Sequence, residues 1–98
     1  MNTSTTEHTG TVLIADDEES LRWILEQALT KRGHAVESVP DGTRAWAALE
    51  SGRFDVALLD IRMPGLAGLD VLTRVRERNV DTLCIVMTAI YLAGKFPM

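Results

Sequence analysis

The stretch DVALLDIRMPG, residues 55–65, decides how this 98-residue chain reads. Val56, Ala57, Leu58 and Leu59 run without polar alternation, the pattern of a short strand covered on both faces. The run ends in a carboxylate, Asp60, and Arg62, Met63, Pro64 and Gly65 then turn the chain. Burial disfavours a charged carboxylate unless something compensates for the lost water. An acid at the end of a buried strand therefore needs a reason.

Working outward, the same kind of run recurs. TVLIAD (11–16) is a β-branched, apolar run ending in acids, AVESV (35–39) is a second strand, and TLCIVMTA (82–89) is a fourth. Amphipathic helices lie between them. In DEESLRWILEQALTKRG (17–33), Leu21, Ile24, Leu25, Ala28 and Leu29 recur at helical spacing. Asp17 is a candidate N-cap, acids fill the first turn, Lys31 and Arg32 the last, and Gly33 is a stop. Pro40, Asp41 and Gly42 form a turn, with Asp41 a cap or turn acid. TRAWAALES (43–51) follows with Ala45, Ala48 and Leu49 on one face, and Gly52 closes it. LDVLTRVRER (69–78) carries Leu69, Leu72, Val75 and Arg76 along one side. Trp23 and Trp46 are expected to cover core, His8 and His34 to face solvent, and Asp55 and Asp81 to be solvated.

The order β-α-β-α-β-α-β predicts an α/β fold, a doubly wound parallel sheet with helices on both faces. Function in such sheets gathers at the carboxyl ends of the strands, where the winding reverses. Asp16 and Asp17 end the first strand, Asp60 the third and Thr88 the fourth, so one rim receives them all. The domain is expected over 11–89, with a flexible polar lead-in at 1–10 and an atypical tail at 90–98.

Bulk properties narrow the classes. A net charge of −4 leaves no basic footprint for nucleic acid or an anionic membrane. No apolar stretch approaches twenty residues, and MNTSTTEHTG lacks the basic and apolar regions of a signal peptide. Cys84 is the single cysteine and is expected to be a buried core thiol, which suits a reducing cytoplasm.

Three acids brought close together raise one another's pKa values unless a cation intervenes. Oxygen ligands select a hard cation, and Mg²⁺ fits a site with few protein ligands. Asp60 could then act as a nucleophile toward a phosphoryl group, with Thr88 as a hydroxyl donor. Taken alone, Asp17 reads equally well as a helix cap and Thr88 as an ordinary strand-end residue.

At these residues the sequence resembles the receiver domain of two-component response regulators. VLIADDEES is similar to the first-strand acid pair, DVALLDIRMPGLAGLDVL to the phosphoacceptor strand, loop and third helix, and IVMTA to the switch-threonine strand. Within the family the chain is most similar to receivers of the nitrogen-regulation activator type. The resemblance implies a flavodoxin-like fold and a phosphoacceptor module of a response regulator, a transcriptional regulator rather than an enzyme. It implies that Asp60 accepts phosphate from a sensor histidine kinase. Asp16, Asp17, Asp60 and the Arg62 carbonyl would hold Mg²⁺, and Thr88 and the Ala89 N–H would contact the phosphoryl group.

The family also carries a fifth strand ending in a lysine. Lys95 lies seven residues beyond Thr88, too near to end a parallel fifth strand. The expectation is a C-terminally truncated receiver, without the fifth strand and last helices, that phosphorylates slowly. Its fourth strand, apolar on both faces, would be left as an edge, and pairing of two copies through that edge or the tails is the expected remedy. Two rival classes stand beside this one. A metal-dependent phosphohydrolase of the haloacid-dehalogenase type needs a second Asp where Arg62 stands. A non-phosphorylated interaction module would fold for dimerisation alone.

Overall fold

The computed structural model describes residues 9–87. Seven elements follow in order: β1 (Thr11–Ala15), α1 (Glu19–Lys31), β2 (Ala35–Val39), α2 (Gly42–Leu49), β3 (Val56–Asp60), α3 (Gly68–Glu77) and β4 (Leu83–Met87). The expectations for residues 1–8, for Thr88 and Ala89 and for the tail lie outside the described residues.

The sheet has the order β2-β1-β3-β4, and every neighbouring pair is parallel. The chain winds outward from β1 to β2, then crosses back over β1 to β3 and β4. That reversal places the crevice between the carboxyl ends of β1 and β3. The doubly wound parallel sheet is therefore as predicted, with four strands among the described residues.

The core explains why the strands read as continuous apolar runs. Leu13 and Ala15 of β1 and Ala57 and Leu59 of β3 point to one face, where they meet Ala45, Trp46 and Leu49 of α2, Val71 and Val75 of α3, and Phe54. Val12 and Ile14 point to the other face and are buried as well, beside α1, which lies along β1 and β2. A strand covered on both faces loses the polar alternation of a half-exposed one.

Helix ends follow local chemistry. Gly33 at φ +94° and Gly52 at φ +74° adopt the left-handed conformation that terminates α1 and α2. Asp41 caps α2, its side chain accepting from the Arg44 N–H at 2.8 Å. Asp17 does not cap α1: the N-cap position falls on Glu18, whose side chain makes no capping bond. Asp17 stays exposed, one step back in the loop.

Two helix faces differ from the sequence reading. No residue of α1 is fully buried. Leu21, Leu25 and Leu29, a single i, i+4, i+8 row, are half-buried, while Ile24 and Ala28 are exposed. Trp23, expected to cover core, is 60% exposed; among the described residues α1 packs chiefly on β1 and β2, which bury only a narrow stripe of it.

In α3 the inward row is Gly68, Val71 and Val75. Leu69 and Arg76 are exposed, and Leu72 is half-buried. Gly68 sets this rotation, because a Cβ there would collide with the Asp60 carbonyl. Residues three and seven positions later must then face the core.

Smaller corrections concern the other strand ends. His34 does not simply face solvent: it is half-buried, and its Nδ1 accepts the Gly10 N–H at 3.1 Å. Asp55 is exposed, yet its Oδ2 accepts the Thr11 N–H at 2.8 Å. Cys84 is half-buried and not a full core residue. On β4, Leu83 is 64% and Ile85 46% exposed, so no element among the described residues covers that face of the strand.

Candidate functional site

Asp16 leaves β1 along the line of the ladder, its N–H donating to the Val39 carbonyl at 3.1 Å. Its Oδ1 then accepts the Glu18 N–H at 2.8 Å, an Asx-type bend that turns the chain toward α1. The Asp16 carbonyl accepts from the guanidinium of Arg22. These bonds hold a carboxylate that is 1% exposed. Asp17 follows at the open rim.

Asp60 is the last residue of β3 and is 2% exposed. The next N–H, that of Ile61, donates to the Met87 carbonyl at 3.0 Å and fixes the exit of the strand. The Arg62 N–H donates to Asp60 Oδ1 at 3.3 Å. The chain returns at Gly68, whose N–H donates to the Ile61 carbonyl at 3.0 Å.

One carboxylate oxygen from each of Asp16, Asp17 and Asp60 lies within 4.8 Å of the others. The structure thus brings together the three acids that the sequence placed on one rim. Thr88 and Ala89 lie outside the described residues, and the Arg62 side chain is exposed.

The electrostatics are unbalanced. Burial pushes the Asp60 carboxyl from 3.8 up to about 6, the charges of Asp16 and Asp17 add to the rise, and the Arg62 N–H opposes it. Among the described residues no side-chain cation compensates. Among the described residues the ion pairs are Arg44 with Asp41 and Arg53 with Glu37, both away from this rim. Arg22, beside Asp16, binds its main-chain carbonyl.

Asp16 Oδ2 is buried without a hydrogen-bond partner among the described residues. Such an orphan acceptor costs stability unless a ligand fills its place. Three converging carboxylates, with an orphaned acceptor on one of them, fit a small hard cation, and the residues present are suited to Mg²⁺.

Several supporting residues escaped the sequence reading. Arg22 was given no role. Gly68 was given none either, although a glycine directly before an apolar helical stripe is a sign of close backbone approach. Gly42 was read as a turn residue and is the buried first residue of α2.

The chain is similar to known proteins. The family model described as response regulator receiver domain matches residues 12–91. Among curated proteins, the chain is 42% identical over 80 residues to the DNA-binding transcriptional regulator NtrC of Salmonella typhimurium, covering 82% of this chain and 17% of that protein. It is 38% identical over 78 residues to the transcriptional regulatory protein TcrA of Mycobacterium tuberculosis, covering 80% of this chain and 31% of that protein. The chain spans less than a third of either relative.

Two solved structures are similar in fold. One is the receiver domain of sensor histidine kinase PA1611 from Pseudomonas aeruginosa, with a magnesium ion coordinated in its active-site cleft. It aligns with TM-score 0.78 and 28% identity over 90% of this chain and 74% of that one. The other is the Thermotoga maritima response regulator TrrA in complex with histidine kinase ThkA, with TM-score 0.74 and 34% identity over 81% of this chain and 68% of that one.

Proposed function

The chain belongs to the response regulator receiver domain family, and on that premise we propose that Asp60 accepts a phosphoryl group from the phosphohistidine of a sensor histidine kinase. The observation that carries the reading is the buried Asp60 carboxylate beside Asp16 and Asp17, with Asp16 Oδ2 lacking a partner among the described residues. An Asp60 oxygen attacks phosphorus in line. The P–N bond to the imidazole breaks, its electron pair passes to the ring nitrogen, and a mixed anhydride forms on Asp60.

The carboxylate must be ionised to attack, which the raised pKa still allows near neutral pH. We assign Asp16, Asp17, Asp60 and the Arg62 carbonyl to Mg²⁺, which when bound offsets charge on the phosphoryl oxygens. We assign the Thr88 hydroxyl and the Ala89 N–H to those same oxygens.

The kinase partner is supported by the complex of TrrA with ThkA, and Mg²⁺ by the ion in the PA1611 receiver. We read the chain as an acceptor rather than a turnover enzyme, since Arg62 stands where a phosphohydrolase of the rival type needs its second acid. In this reading it switches a transcriptional regulator in the cytoplasm. No helix among the described residues is long and apolar enough to cross a membrane. The bare Leu83 and Ile85 of β4 support pairing with a second copy. A sedimentation series expects a dimer that dissociates on dilution, and a folded monomer at every concentration contradicts it.

The test of function is an intact mass after treatment with acetyl phosphate and Mg²⁺. One phosphoryl adduct per chain supports the reading. Turnover of phosphomonoesters would point to the hydrolase, and no reaction to the interaction module.

A further inference from the structure

We propose that Gly42, the first residue of α2, is a positioning residue for the acidic site: it seats the loop between β3 and α3 against α2 and so holds the backbone around Asp60. The consequence for Mg²⁺ rests on the reading above, whereas the seating itself does not.

Gly42 is buried, and its N–H donates to the Pro64 carbonyl at 3.1 Å. The first N–H groups of a helix have no partner within it, so here a loop carbonyl satisfies one of them. A Cβ on Gly42 would collide with the Leu66 carbonyl oxygen and come within 2.8 Å of the Leu66 Cβ. The obstacle is backbone and cannot rotate away, so the whole loop would have to shift. Asp41 keeps this end of the helix wound by accepting the Arg44 N–H.

The loop is tied to Asp60 at both ends. The Arg62 N–H donates to the Asp60 carboxylate at 3.3 Å, and Gly68 packs its bare Cα on the Asp60 carbonyl. Between those ties the loop rests on Gly42 through Pro64 and Leu66. Displacing that middle segment must reorient Arg62, which supplies both the N–H to Asp60 and the carbonyl assigned to the metal. Gly52 is the natural control, because it has φ +74° and nothing within 4 Å of an added Cβ. Gly52→Ala therefore strains a turn without touching the loop.

The experiment compares Gly42→Ala and Gly52→Ala in the full chain, measuring Mg²⁺ affinity and amide hydrogen exchange. Gly42→Ala is expected to weaken Mg²⁺ binding tenfold or more. It should also speed exchange at Arg62 and Gly68 beyond any change at Leu13 and Leu59. Gly52→Ala is expected to lower the melting temperature while leaving affinity and loop exchange at parent values. A Gly42→Ala protein with parent affinity and parent loop exchange overturns the proposal.

Should Gly42→Ala not fold, Asp41→Ala unties the same turn without adding an atom, and the same loop-specific effect is expected at smaller amplitude. Exchange that rises evenly across the sheet in that variant also overturns it. If the parent binds no Mg²⁺, the phosphoacceptor reading fails, and the exchange pattern alone decides the seating.

Discussion

The two ends of the sheet carry acids to opposite effect. At the amino ends of the strands, Asp55 accepts the Thr11 N–H, His34 accepts the Gly10 N–H, and Thr82 donates its hydroxyl to the Phe54 carbonyl. Each of these polar groups has a neutral partner at hand. At the carboxyl ends, carboxylate oxygens of Asp16, Asp17 and Asp60 crowd within 4.8 Å, and Asp16 Oδ2 has no partner among the described residues. Similar residue types serve as fasteners at one edge and as an unbalanced charge cluster at the other. Local hydrogen bonds account for the first edge, and a bound cation would offset the charge crowded at the second.

The sharpest way to break this contrast is chemical. Asp60→Asn is expected to remove phosphoryl incorporation entirely, read by intact mass, since an amide is not a competent nucleophile. Asp55→Asn should incorporate at the parent level. Incorporation that survives in the Asp60 variant contradicts the nucleophile assignment.

Next in size is the response of stability to pH. The folded pKa of Asp60, about 6, lies above its ordinary 3.8, so the native state binds the extra proton between those values. Its contribution is fully present below about pH 4 and is lost as pH rises through about 6. Asp60→Asn should therefore exceed the parent in unfolding free energy at pH 7, by on the order of 2 kcal/mol. The gap should close toward pH 4 and shrink in saturating Mg²⁺. Chemical denaturation across that range checks it, and a gap independent of pH would mean that the Asp60 charge is already balanced.

The smallest effect belongs to the quiet edge. Asp55→Ala removes one exposed acceptor from the Thr11 N–H and should cost about 1 kcal/mol, measured by the same denaturation. Mg²⁺ affinity should not change.

Sequence made the strands and the rim legible because both depend on local pattern. Continuous apolar runs ending in Asp16 and Asp60 can be read directly, and alternation with helices fixes the winding. Helix rotation was less legible. Leu69 drew the α3 stripe toward itself, whereas the contact between Gly68 and the Asp60 carbonyl, eight positions back along the chain, turned Val71 and Val75 inward. Trp23 misled in the same way, since apolar character does not reveal how many strands a helix lies on. The seat that Gly42 offers to Leu66 is likewise invisible before the fold brings α2 and the loop together.

The most direct test of the contrast is a Mg²⁺ titration followed by backbone amide chemical shifts. The account predicts saturable shifts at Asp16, Asp17, Glu18, Asp60 and Arg62, abolished in Asp17→Asn, with Thr11, His34 and Asp55 unmoved. Shifts spread equally over both edges, or undiminished in Asp17→Asn, would contradict it.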